Sequence, residues 1–203
     1  MSTQNARPCN PSRLSRSLAA AFGTLFTAGV VHGAVLYAGR SPLESEHVPG
    51  TSAWWPHAVL AAAAVVLSIG VFVHRRRAGR RGSVLLLPIG ERAARRVRLT
   101  LAAARAGTGR GRALAAAAPA ALLLYSAFRV GVQIIGGLDP AFTVNAWGGP
   151  TYLGAMACHY LDAGLLMAAS AWLLDKILLP DSGESRTGTG TSAQCAGECS
   201  VRA

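Results

Sequence analysis

The sequence predicts an all-α membrane protein: a four-transmembrane-helix bundle with both termini in the cytoplasm and a basic amphipathic segment between the second and third helices. Three observations predict it. The 203-residue chain is 51% hydrophobic and only 14% charged, whereas charged residues make up roughly a quarter of an ordinary soluble domain. Its apolar residues fall into four blocks, at 17–39, 54–74, 113–136 and 151–174, each near the roughly 20 residues needed to cross a hydrocarbon core about 30 Å thick. Finally, the connectors between blocks differ sharply in charge.

The N-terminal tail, 1–16, carries Arg7, Arg13 and Arg16 and no acid, which predicts a cytoplasmic start. Block 17–39 follows. A cleaved signal peptide is its main rival, but the apolar run is longer than a signal core and ends without a small-x-small cleavage site. The next connector sets Arg40 against Glu44 and Glu46 and is expected outside.

Block 54–74 then returns the chain to the cytoplasm. Connector 75–112 holds twelve arginines against the single acid Glu91, a balance equal to the whole net charge of +11. So concentrated a charge argues for a cytoplasmic loop rather than for nucleic acid, because no aromatic residues are interleaved for base stacking. Within it, 90–106 has helix-forming composition, with Ala94, Val97, Leu101 and Ala104 at helical spacing among Arg92, Arg95, Arg96 and Arg98. That pattern predicts a helix lying on the anionic inner leaflet, its arginines binding lipid headgroups. The apolar run 84–89 is expected to dip into the same interface.

Block 113–136 leads outward to a short turn through Asp139-Pro140 and Gly148-Gly149-Pro150, and block 151–174 leads back. Trp54, Trp55, Trp147 and Tyr152 fall at the expected outer ends and Trp172 at an inner end, as the aromatic belts of a bilayer require. The tail 175–203 is rich in Gly, Ser and Thr beyond 182 and reads as disordered. Cys9, Cys195 and Cys199 lie in the two tails and form no metal-binding pattern, while Cys158 reads as a small packing residue.

Polar residues within apolar blocks call for partners, because ionisable groups in hydrocarbon cost several kcal/mol unless paired or hydrated. Tyr125, Arg129 and Gln133 recur every four residues and share one helix face, as do His159 and Asp162, three apart. Helical rise places Arg129 roughly 10 Å and Asp162 roughly 16 Å below the outer surface. An Arg129 to Asp162 ion pair is therefore expected in the outer half, closing the hairpin. His32 adjoins Gly29 and Gly33, a spacing typical of close helix contact, and is expected to point into the bundle. His57 reads as an interface residue beside Pro56, and His47 as an ordinary loop residue.

No Gly-x-Ser-x-Gly elbow, phosphate loop or paired-histidine zinc helix is present. The expected function is that of a noncatalytic accessory subunit or small permease-like module in a bacterial plasma membrane. Its expected partners are the lipid bilayer and other membrane proteins, and no metal or cofactor is expected. The alternative is a membrane enzyme or redox protein using the same cluster, with His32 and His159 as a haem ligand pair.

Overall fold

The computed structural model describes residues 14–43, 46–78 and 89–180. The expectations for Cys9, Cys195, Cys199, most of the 84–89 run and the tail beyond 180 lie outside them. The described residues form six helices: α1 (Arg16–Ala38), α2 (Trp54–Arg77), α3 (Glu91–Arg105), α4 (Arg110–Gly136), α5 (Pro140–Thr143) and α6 (Tyr152–Ile177). Four of them, α1, α2, α4 and α6, are long and apolar enough to cross a membrane. Each overruns its predicted block slightly, α4 by taking in Arg110 and Arg112.

The tightest contact joins α1 and α4, and small residues create it. A Cβ on Gly29 would stand 2.1 Å from the Phe128 carbonyl oxygen, and one on Gly33 would stand 2.3 Å from that of Val132. Gly131 answers from α4, where a Cβ would meet the Phe26 carbonyl oxygen at 2.2 Å. Because Gly29 faces Phe128 and Gly33 faces Val132 and Gly136, the two helices run parallel. Such backbone-to-backbone contact gains dispersion energy that larger side chains would prevent.

Alongside α4, α6 runs antiparallel, as the short turn between them predicts. The Tyr152 hydroxyl donates to the Ile134 carbonyl oxygen at 3.1 Å, and Met156 lies against Gly137. The turn itself is built on glycine: Gly148 and Gly154 are in backbone contact, and Gly149 has φ +82°. Asp139 caps α5 by accepting from the Ala141 amide at 2.9 Å. The segment 46–53 is stapled onto this hairpin. Asn145 accepts from the Val48 amide at 2.8 Å, and the Ala53 amide donates to the Trp147 carbonyl oxygen at 2.7 Å. His47 takes part as well, its Nδ1 lying 2.8 Å from the Val144 carbonyl oxygen.

In contrast, α2 stands apart. His57 is its only buried residue, and its principal contact is with α6.

At the opposite end from the hairpin, α3 docks beneath the long helices. Leu14 bridges to Gly90, with the Ser15 amide donating to the Ile89 carbonyl oxygen at 2.8 Å. Arg96 closes the C-terminus of α6. Its Nε donates to the Leu179 carbonyl oxygen and its Nη2 to that of Leu178, both at 2.9 Å, while the guanidinium also reaches the Asp175 carbonyl and carboxylate. Thr100 adds a bond by accepting from the Leu179 amide at 3.1 Å. Helix C-termini leave four carbonyls without intrahelical partners, and Arg96 satisfies two of them, those of Asp175 and Leu178. Its expected place at a lipid surface is thus taken by a protein contact.

Candidate functional site

Between α4 and α6, just below the hairpin, lies a cavity of about 560 Å³. Its wall on α4 carries Tyr125, Ser126 and Arg129, and its wall on α6 carries His159, Asp162, Ala163 and Leu166. Phe142, Asn145 and Trp147, from α5 and the turn after it, form the roof. Helical spacing explains the two walls, since residues three and four apart share a face. The roof holds its position because Asn145 and Trp147 are the residues that bind the 46–53 segment.

Four of the six residues expected to cluster therefore line one cavity: Tyr125, Arg129, His159 and Asp162. They do not form the expected contact. Asp162 bonds instead to His57, whose Nε2 lies 3.3 Å from Asp162 Oδ2. Arg129 is exposed toward the cavity and, among the described residues, makes no hydrogen bond or ion pair. The cluster is accordingly half-open rather than buried, and the arginine-aspartate clasp is replaced by a histidine-aspartate one between α2 and α6.

His57 is only 7% exposed. Its ring lies 5.5 Å from that of Trp147, and its Nδ1 lies 2.8 Å from the Ala53 carbonyl oxygen. A carbonyl oxygen only accepts, so Nδ1 carries a proton. Nε2 faces a carboxylate oxygen, so a bond there requires a second proton, shared between the two groups. Asp162 is thus engaged by His57 rather than by Arg129.

The other two expected residues lie elsewhere. Gln133 continues the Arg129 face by one turn but is 1% exposed, and neither atom of its amide is hydrogen-bonded among the described residues. His32 does not enter the bundle. It sits about 100° around α1 from Gly33, is exposed, and rests its ring 5.8 Å from Phe128. It lines a groove formed by α1 alone, whereas His159 lines the α4/α6 cavity with its ring 6.3 Å from Phe142. The two histidines thus line different cavities, an arrangement that does not bring them together as a haem ligand pair.

His57, the roof residues Phe142, Asn145 and Trp147, and the wall residues Ser126, Ala163 and Leu166 were not among the site residues expected from sequence. The run Asn145-Ala146-Trp147-Gly148-Gly149-Pro150 is distinctive in composition and supplied a signal for the roof. Nothing comparable pointed to His57. Cys158 is buried with a free thiol, in keeping with a packing role.

Chemically, the cavity offers a cation, a phenol, an imidazole and apolar walls. Among the described residues, no three His, Cys, Asp or Glu side chains group as a metal site would require. Comparison with protein-family models, curated proteins and solved structures finds no match to this chain.

Proposed function

We propose that this chain is a polytopic plasma-membrane protein with both termini in the cytoplasm. It acts as a noncatalytic binding module, an accessory subunit or small permease-like unit, through the cavity between α4 and α6. One observation carries this reading: polar side chains from two apolar helices converge on a cavity under a roof held by hydrogen bonds through the Asn145 side chain and the Trp147 carbonyl. Ionisable residues within spans mark ligand or ion pathways far more often than lipid-facing surface. The roof end faces outside, because the arginine-rich connector belongs in the cytoplasm. There Arg92, Arg95 and Arg98 meet the anionic leaflet, each contributing about 1 kcal/mol.

The test is copurification from native membranes in mild detergent, with mass spectrometry of bound proteins and small molecules. Wild-type chain is compared with Ala163→Trp, which fills the cavity from a buried position. A bound species present in wild type and depleted from a folded Ala163→Trp protein is expected. Identical bound sets would refute a binding role for the cavity.

A further inference from the structure

From the charge balance of the cavity we infer that its ligand is an anion, a phosphate or carboxylate group carried on an apolar body, held by Arg129. This inference rests on the binding role proposed above and specifies what is bound.

Three observations lead to it. First, the Asp162 carboxylate is engaged by His57, whose Nε2 lies 3.3 Å from Oδ2 while its Nδ1 is committed to the Ala53 carbonyl oxygen. The carboxylate that shares the cavity with Arg129 is thereby already partnered. Second, Arg129 lines the same cavity without an ion pair among the described residues. Within an apolar helix an uncompensated guanidinium costs several kcal/mol, and a planar array of five N–H donors is suited to phosphate or carboxylate oxygens. Third, Tyr125 and His159 line the cavity beside Arg129 and offer further polar contacts, while Phe142, Ala163 and Leu166 provide apolar wall. Tyr125 is 51% exposed and Leu166 38% exposed, so the cavity opens along the helix flank as well as beneath the roof. A charged head beside an apolar chain matches that layout. The head could belong to a membrane lipid or to a free amphiphilic acid, which share this chemistry.

The geometry also assigns His57 a positioning role. While it holds Asp162, the carboxylate does not compete for Arg129. Removing the imidazole would free a negative charge in the same cavity and displace the bound anion.

The experiment measures binding to the purified full-length chain in neutral detergent by intrinsic tryptophan fluorescence, since Trp147 lines the cavity. The probes are dioctanoyl phosphatidic acid, octanoate, inorganic phosphate and, as the neutral control, dioctanoylglycerol. Phosphatidic acid or octanoate should bind, and dioctanoylglycerol should not. Binding of phosphatidic acid alone identifies a lipid headgroup as the source, and binding of octanoate identifies a free acid. Arg129→Gln should weaken the Kd by roughly 10- to 100-fold, the worth of a charge-assisted hydrogen bond. Arg75→Gln with Arg77→Gln, remote from the cavity, should leave it unchanged. His57→Gln should weaken binding, and adding Asp162→Asn should restore it, an outcome that a merely misfolded His57 variant would not give.

Anion binding that is the same in folded Arg129→Gln overturns the inference. So does an unaffected His57→Gln, or a His57→Gln defect that Asp162→Asn leaves in place. If dioctanoylglycerol binds as well as the anions and Ala163→Trp blocks both, the cavity is a binding site and only the anion assignment fails. If Ala163→Trp changes the binding of no probe and of no copurifying species, the binding role itself fails.

Discussion

The carbonyl oxygen of Phe128 lies where a methyl group on Gly29 would have to be, 2.1 Å from that Cβ position. No side-chain rotation relieves such a clash, because the obstacle is backbone. Gly29→Leu should therefore separate α1 from α4, with a loss on the order of 1–3 kcal/mol, read as a lower Tm in detergent. Gly23, on the same helix, has nothing within 4 Å of its Cβ position, so Gly23→Leu should leave Tm near wild type. Equal effects of the two substitutions would show that the α1/α4 contact is not the one described.

At the far end of the molecule, Arg96 and Asp175 touch, but they are unequal partners. Asp175 is largely exposed, its side chain retaining 67% of its accessibility, whereas that of Arg96 retains 12%. An exposed ion pair contributes about 0–1 kcal/mol, so Asp175→Asn should be nearly silent. Arg96→Ala removes several bonds to carbonyls at once and should cost on the order of 1–3 kcal/mol. Hydrogen exchange at the last turn of α6 should rise in Arg96→Ala and not in Asp175→Asn.

Exchanging the charges of Arg129 and Asp162 should fail to rescue either single variant. The swap places an arginine against His57 and leaves the new aspartate without His57 as its partner. Asp162→Asn should be milder than Asp162→Leu, because an amide N–H can donate to a neutral His57 Nε2. Thermal unfolding of the swap, its two single variants, Asp162→Asn and Asp162→Leu gives the ranking, and full rescue by the swap would restore the arginine-aspartate clasp to consideration.

How much of this was legible in the sequence depends on which dimension is in question. Position along a helix axis follows from residue number, so the four apolar helices, the glycine contact at Gly29 and Gly33, and the convergence of Arg129 and Asp162 on one region of α4 and α6 could be read directly. Rotation and lean could not. His57 meets Asp162 because α2 brings its first turn to α6, a relationship between residues 105 positions apart that no local pattern encodes. Neither could the partners of Arg96, since the acceptors are mostly main-chain carbonyls and carry no residue signature. His32 was misplaced for a simpler reason. It is the immediate neighbour of a contact residue, and neighbours on a helix point in different directions.

The orientation has its own test. Leu43 and Thr108 are both exposed and lie in connectors at opposite ends of the long helices. Single cysteines introduced there should label with a membrane-impermeant maleimide in opposite fashion. Leu43→Cys is expected to react in intact cells, and Thr108→Cys only after permeabilisation. The reverse pattern would invert the molecule and place the cavity roof in the cytoplasm.

Asn145 supplies a further expectation. Its amide oxygen holds Val48 and its nitrogen reaches the Glu46 carbonyl oxygen at 3.5 Å. Asn145→Ala should loosen segment 46–53, seen as faster hydrogen exchange at Val48, while costing the rest of the fold only about 1 kcal/mol. Unchanged protection at Val48 would mean that Asn145 does not hold the strap.

The attachment of α2 has a mechanical consequence. This helix is about 36 Å long and its one buried residue, His57, lies in its first turn. It is a cantilever, clamped at the roof and, among the described residues, exposed along most of its remaining length. A small tilt at the clamp would sweep its far end, with Arg75, Arg76 and Arg77, sideways by many times the movement at His57. The His57 contact with Asp162 is therefore positioned at the pivot of that lever.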